Sequence, residues 1–213
     1  MFERAARRGM ADEAAERIRD AIFGGVVPPG SQLREIELAA ELDISRGSVR
    51  EGLAVLEAEG LVRSEWHRGT KVIDVTVHDV EEVYAVRAAL EGLATSTAIG
   101  RVSLDELDEI VAVMLDLTDD DRLLALDMRF HDTIYQATGN ARLISAWRAL
   151  RSQVYLFQLT RVRLNGEHYR AIVVDEHREI VAMLRRGDPE AASRYAEEHV
   201  HEARAVLVAA LSP

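Results

Sequence analysis

Asp127, His131, His177 and His199 are the residues of this chain whose types and spacing most readily suggest chemistry. Asp127 and His131 are four positions apart in an apolar-periodic stretch, so on a helix they project from one face. His177 and His199 lie eleven residues before and eleven residues after Asp188, in the turn Gly187-Asp188-Pro189. In an antiparallel helical hairpin a rise of about 1.5 Å per residue puts both imidazoles at one level, about 16 Å from the turn. Three imidazoles and a carboxylate in a bundle interior suit a borderline divalent cation, Zn²⁺ first, with Ni²⁺, Mn²⁺ or Fe²⁺ also possible. Spacing alone leaves open that these are ordinary polar or core-edge histidines. His78, His168 and His201 read as solvated, since His201 points nearly opposite His199.

A second chemistry sits in ISRGSVREGLAVLEAEGLV, residues 44–62. Arg46 and Arg50 are one turn apart at the start of a helix whose apolar side is Val49, Leu53 and Leu56. Ser45 is a suitable N-cap, Ser45 and Ser48 can bond phosphate at the positive helix end, and an arginine can grip guanine O6 and N7 with two hydrogen bonds. Taken alone, the pair also reads as solvated arginines balanced by Glu51.

The elements around that stretch decide the matter. Ala14, Ile18, Ala21 and Ile22 mark a first helix that stops at Gly24-Gly25, before the turn Pro28-Pro29-Gly30. A second, short helix turns Ile36, Leu38, Ala39 and Leu42 inward, and Asp43 to Ser45 break it from the third. LVRSEWHRGTKVIDV then reads as two strands around His67-Arg68-Gly69, with Gly69 supplying positive φ. Three helices and a hairpin in this order predict a winged helix-turn-helix in which Arg46 and Arg50 face DNA and His67 lies on the wing. From residue 79 onward all is helical: 79–100, 103–117, 121–138, 141–163, 168–186 and 189–211. The expected fold is mainly α, with a DNA-binding unit over 1–78 and an antiparallel six-helix bundle over 79–213.

Composition agrees. The 213 residues are 48% hydrophobic and 30% charged, contain no cysteine, and include no apolar run long enough to span a bilayer. Together with the lack of a secretory signal pattern, this makes the cytoplasm the expected compartment. A net charge of −11 argues at first against nucleic acid, but residues 1–78 hold 11 basic and 14 acidic side chains against 15 and 23 in 79–213. The acidity is concentrated away from the expected DNA-reading surface.

IRDAIFGGVVPPGSQL, ELAAELDISRGSVREGLAVLEAEGLV and HRGTKV, followed by VRAALEG, DMRFHDTIYQATGN and EHREIVAMLRRGDPEAASRYAEEHV, resemble the FCD group of the GntR family of bacterial transcription regulators over nearly the whole chain. The resemblance implies an effector-responsive homodimer on a near-palindromic operator, with a metal in the helical domain. It puts Asp127, His131, His177 and His199 at the ligand positions, Arg87 toward the effector, and Ser45, Arg46, Ser48, Arg50, His67, Arg68 and Gly69 toward DNA. Two departures, Ile36 for a common basic residue and Gly47-Ser48 for a common Thr-Pro, mean that a relative's operator sequence does not transfer. Without the resemblance, Arg87 reads as a surface pair with Glu91 at i+4. A metalloenzyme is the rival function, but no HExxH motif or obvious nucleophile accompanies the ligands. The expected effector is a small organic acid with its oxygens on the metal and Arg87 balancing its charge.

Overall fold

The computed structural model describes residues 7–65 and 69–212. The chain divides into two compact units, the first ending at Val75 and the second beginning at Thr76.

In the first unit, α1 (Arg7–Phe23) buries Ala11, Ala14, Ala15, Ile18 and Ile22. The three alanines let α3 (Arg46–Ala58) approach closely, and a Cβ on Gly52 would lie 2.9 Å from both the Ala11 carbonyl oxygen and Ala14 Cβ. α2 (Glu35–Leu42) ends at Asp43, whose N–H donates to the Ala39 carbonyl and whose left-handed φ of 54° turns the chain so that the Ile44 N–H reaches the same oxygen at 3.1 Å. Ser45 then caps α3, its hydroxyl accepting from Ser48 N at 3.1 Å, and Val49, Leu53 and Leu56 are buried as their spacing predicts.

β2 (Val62–Glu65) and β3 (Gly69–Val72) form the expected antiparallel hairpin, and Gly69 has a φ of 80°. The sequence reading misses β1 (Gln32–Leu33), which pairs with Lys71 and Thr70 to give the order β1-β3-β2. Two residues are too few for an alternating pattern to register. It also misplaces Ile36, which is 65% exposed. α2 is only eight residues long and packs on α3 by one edge, leaving Leu38, Ala39 and Leu42 half-buried.

The second unit contains α4 (Val77–Ala98), α5 (Leu104–Leu115), α6 (Asp120–Ala137), α7 (Ala141–Arg186) and α8 (Pro189–Leu211). Thr76, Ser103, Asp119, Asn140 and Asp188 each cap the helix that follows through a side-chain oxygen. Gly187, at φ 73°, closes α7 and lets the chain reverse into Asp188 and Pro189. The expected helices 141–163 and 168–186 are not separated by a loop: one non-helical residue, Asn165 (φ −153°, ψ 58°), kinks a continuous α7. No proline occurs there, so the backbone returns to helix at once. α7 packs against α4, α5, α6 and α8. Tyr135 stacks on Trp147 at 4.6 Å, and the Trp147 indole donates to Asp132 at 2.7 Å. No helix among the described residues is long and apolar enough to cross a membrane.

The α1–α3 contact yields a first prediction. Gly52→Ala forces a methyl against backbone and is expected to destabilise the winged unit by about 1–3 kcal/mol. Gly9→Ala, with nothing within 4 Å, is expected to be neutral or slightly stabilising. Hydrogen exchange at α3 amides measures both, and equal protection in the two variants contradicts the close packing.

Candidate metal centre

The three histidines meet. His131 on α6, His177 on α7 and His199 on α8 form a triangle with ring centroids 5.3, 5.6 and 5.5 Å apart. One ligand nitrogen from each lies within 4.8 Å of the others. Asp127 Oδ1, one turn before His131, is 2.9 Å from His177 Nε2 and 3.5 Å from His131 Nε2. None of the four is more than 3% exposed.

Two imidazoles are hydrogen-bonded at Nδ1, and the third has its Nδ1 beside a carboxylate without an aligned hydrogen bond. The Nδ1 of His131 is 2.5 Å from Glu91 Oε1, that of His177 donates to the Val173 carbonyl at 2.6 Å, and that of His199 is 3.2 Å from Glu176 Oε2. An acceptor at Nδ1 draws the proton there and leaves Nε2 free to ligate, the arrangement a metal-binding histidine needs. Burial would raise the Glu91 carboxyl, but the His131 charge and hydrogen bond, with Arg87, hold it down at about 2. Asp127 likewise stays well below the usual carboxylate range, its burial outweighed by His131 and His177. Burial lowers His131, yet Glu91 and Asp127 push it up to about 9. His199 is lowered, chiefly by burial, which with the charges of His177 and His131 outweighs the opposing pull of Glu176.

These residues pass a physical test of fit. Asp127 Oδ1, His177 Nε2 and His199 Nε2 have no aligned hydrogen-bond partner among the described residues, a cost of about 1–3 kcal/mol for each buried group. Cation–donor bonds of about 2.0–2.2 Å set neighbouring donors about 3.0–3.5 Å apart. Asp127 approaches His177 and His131 at 2.9 and 3.5 Å. A carboxylate with three imidazoles and no thiolate matches the borderline divalent ions.

Arg87 is not at the surface. It is fully buried, with Nη2 3.4 Å from His131 Nε2 and Nε 3.9 Å from Glu91 Oε2, and its Nε and Nη1 have no hydrogen-bond partner. The pair with Glu91 forms inside the bundle because residues 84, 87, 88, 91 and 95 make up the buried face of α4, while Val86 and Leu93 lie outside. That helical register was the signal by which Glu91 could have been found. Glu176 and Gln158 gave no such signal. Gln158 links Tyr84, whose hydroxyl donates to its Oε1 at 3.2 Å, to Asp127, whose Oδ2 accepts from its Nε2 at 3.4 Å.

In the winged unit, Arg46 and Arg50 are exposed, and Glu35 rather than Glu51 holds them. Arg50 Nε and Nη2 donate to the two Glu35 oxygens at 2.8 and 2.7 Å, and Arg46 Nη2 is 3.7 Å away. Ser45 is exposed, whereas Ser48 is buried with its hydroxyl 2.9 Å from Ser45 Oγ, so it reinforces the cap instead of facing outward. Gly69 is exposed at the start of β3, and His67 and Arg68 lie outside the described residues.

A helix-turn-helix with a wing in one unit, and a helical second unit with a buried histidine cluster, are the architecture of a DNA-binding transcription regulator. The pattern of the bacterial regulatory proteins of the gntR family matches residues 10–72, and that of the FCD domain matches residues 82–202. A "Probable D-xylose utilization operon transcriptional repressor" from Paenarthrobacter nicotinovorans is 32% identical over 203 residues, covering 93% of this chain and 88% of that protein. A gluconate operon transcriptional repressor from Bacillus licheniformis is 31% identical, covering 68% of this chain and 62% of its own length. The fold is similar to that of a GntR transcriptional regulator from Rhodococcus sp. RHA1, with a TM-score of 0.77, 24% identity, and coverage of 94% of this chain and 98% of that one. The chain belongs to the GntR family of bacterial transcription regulators, in the group that carries an FCD domain. It is a DNA-binding regulator, not a metalloenzyme.

The Nδ1 anchors supply the prediction here. Glu91→Gln weakens the acceptor that orients His131, and Zn²⁺ affinity is expected to fall about 10–100-fold in a chelator competition. Unchanged affinity would detach Glu91 from the centre.

Proposed function

We propose that the protein is a metal-containing, acid-responsive repressor. It acts as a homodimer whose winged units bind the half-sites of a near-palindromic operator and leave it when a small organic acid enters the helical unit. One observation carries this reading: a fully buried arginine with unpaired N–H groups beside three imidazoles, each of which offers a ring nitrogen within 4.8 Å of the others. An arginine keeps its charge in a protein, so an unpaired one in the interior favours an anion.

Asp127, His131, His177 and His199 would hold the cation, Zn²⁺ first, with Ni²⁺, Mn²⁺ or Fe²⁺ as alternatives. When bound, it supplies Lewis-acid positions for carboxylate oxygens. Glu91 anchors both His131 and Arg87, and Arg87 offers N–H donors to the acid while balancing its charge. The two similar repressors, described for D-xylose and gluconate operons, support a repressor answering to a small metabolite.

On the DNA side, Arg46 and Arg50 read base edges, Ser45 and the start of α3 meet phosphate, and Gly69 with His67 and Arg68 forms the wing contact. Ser48 serves through the cap. Two heads on one dimer gain affinity by binding both half-sites together.

Two predictions separate the parts. Arg46→Ala and Arg50→Ala are each expected to cost about 1–3 kcal/mol on a duplex selected in vitro with the wild-type protein, at fixed salt, and to relax preference at one base pair. Wild-type affinity in both would remove the recognition-helix assignment. In the helical unit, His177→Ala is expected to lose both Zn²⁺ and carboxylate binding, whereas Arg87→Ala loses the carboxylate and keeps the Zn²⁺. Calorimetry with Zn²⁺ and then with butyrate distinguishes them, and a His177→Ala protein holding one Zn²⁺ at wild-type affinity would overturn the ligand assignment.

A further inference from the structure

A second buried arginine adjoins the centre, and the proposed metal–Arg87 seat does not use it. Arg161, on α7, is 2% exposed, and its Nε has no hydrogen-bond partner. Among the described residues its hydrogen-bond contact is from Nη1 to Gln158 Oε1, at a long 3.5 Å. No carboxylate among the described residues forms an ion pair with it. Arg87 has Glu91 within 3.9 Å, and Glu176, whose carboxylate senses the Arg161 charge, is engaged with His199 at 3.2 Å.

Arg161 is nonetheless tied to the same site. Gln158 receives Arg161 at Oε1 and passes its own Nε2 to Asp127 Oδ2 at 3.4 Å. The Arg161 guanidinium also lies 5.3 Å from the ring centroid of Tyr169. The Tyr169 hydroxyl is buried and has no aligned hydrogen-bond partner. Thus a cation with no ion-pair partner among the described residues and a hydroxyl with no aligned hydrogen bond, which senses the Asp127 carboxylate, stand next to a proposed metal ligand. They also flank the kink: Arg161 precedes Asn165 by four residues and Tyr169 follows it by four.

We infer that Arg161 and Tyr169 form a second anion subsite, so that the effector carries two acidic groups, one at the metal and Arg87 and the other at Arg161 and Tyr169. This rests on the acid-responsive reading above and narrows its ligand class to small dianions. A guanidinium in a water-poor interior binds an anionic group far more strongly than a methyl or hydroxyl in the same place, because only the anion neutralises the buried charge. A site built this way rejects an acid of equal length that lacks the second charge, since binding it would leave Arg161 desolvated and unpaired. The second anionic group can be a carboxylate or a phosphate, which share the chemistry that a guanidinium recognises.

The experiment is calorimetric titration of the Zn²⁺-loaded full-length protein with succinate, glutarate and phosphoglycolate, each against butyrate. At least one dianion is expected to bind at least tenfold more tightly than butyrate, and which one does so separates carboxylate from phosphate as the second group. Arg161→Gln is expected to abolish that preference while retaining butyrate affinity. Tyr169→Phe, which keeps the ring and removes only the hydroxyl, is expected to reduce the preference several-fold and decides the matter if Arg161→Gln fails to fold. If wild-type protein binds butyrate as tightly as every dianion, or if the preference survives in both variants, the second subsite is wrong while the acid-responsive reading stands. If Zn²⁺-loaded protein binds none of these acids, both fall together.

Discussion

The structure depends on keeping ionised and polar groups buried in the middle of a helical unit. Arg87, Glu91, Asp127 and His131 are all at most 1% exposed, and each is tolerable only because another is beside it. Glu91 is central: it receives His131 Nδ1 at 2.5 Å and the Tyr135 hydroxyl at 3.2 Å, and it lies within 3.9 Å of Arg87. Removing one member of such a group leaves the others desolvated and unpaired, which is why the cluster acts as a unit. The helices are placed accordingly. α4 brings Arg87 and Glu91, α6 brings Asp127 and His131, and the α7–α8 hairpin brings the last two imidazoles to one level.

Much of this arrangement was legible from residue order. The hairpin symmetry about Asp188 foretold that His177 and His199 would meet, because helical rise is constant and the turn is sharply defined by a glycine, an aspartate and a proline. The winged head was legible for a similar reason: Ser45, Gly69 and the apolar spacing of α3 are local signals with local consequences. Two polar partners of the site, Glu176 and Gln158, were not. Both act across helices, and sequence spacing within one helix carries no information about which neighbour a polar side chain will meet. The resemblance points Arg87 toward the effector, whereas spacing alone reads it as a surface pair with Glu91, because charged pairs at i+4 usually lie outside; the register with Tyr84, Ala88 and Thr95 places it within. Ile36 failed in the opposite direction, since eight residues of α2 offer too little periodicity to fix which apolar side chains face inward.

The head shows a related principle in exposed form. Glu35 fixes the Arg50 fork with two hydrogen bonds and stands near Arg46, so the pair is held outward at the start of α3 rather than sampling solvent freely. An exposed ion pair contributes little to stability, so its value lies in orientation. In both units, then, a carboxylate from a neighbouring helix aims a cationic or ligating group: Glu35 does so for Arg50, and Glu91 for His131.

The central claim is that three Nε2 atoms and Asp127 form one divalent-cation site. X-ray absorption on the full-length protein loaded with Zn²⁺ and freed of excess metal tests it most directly. The account predicts one Zn²⁺ per chain, with three imidazole nitrogens and at least one carboxylate oxygen in its coordination sphere, and the loss of one imidazole in His199→Ala. A folded protein that takes up no Zn²⁺ at micromolar concentration, or a bound Zn²⁺ with fewer than three imidazoles, would contradict it.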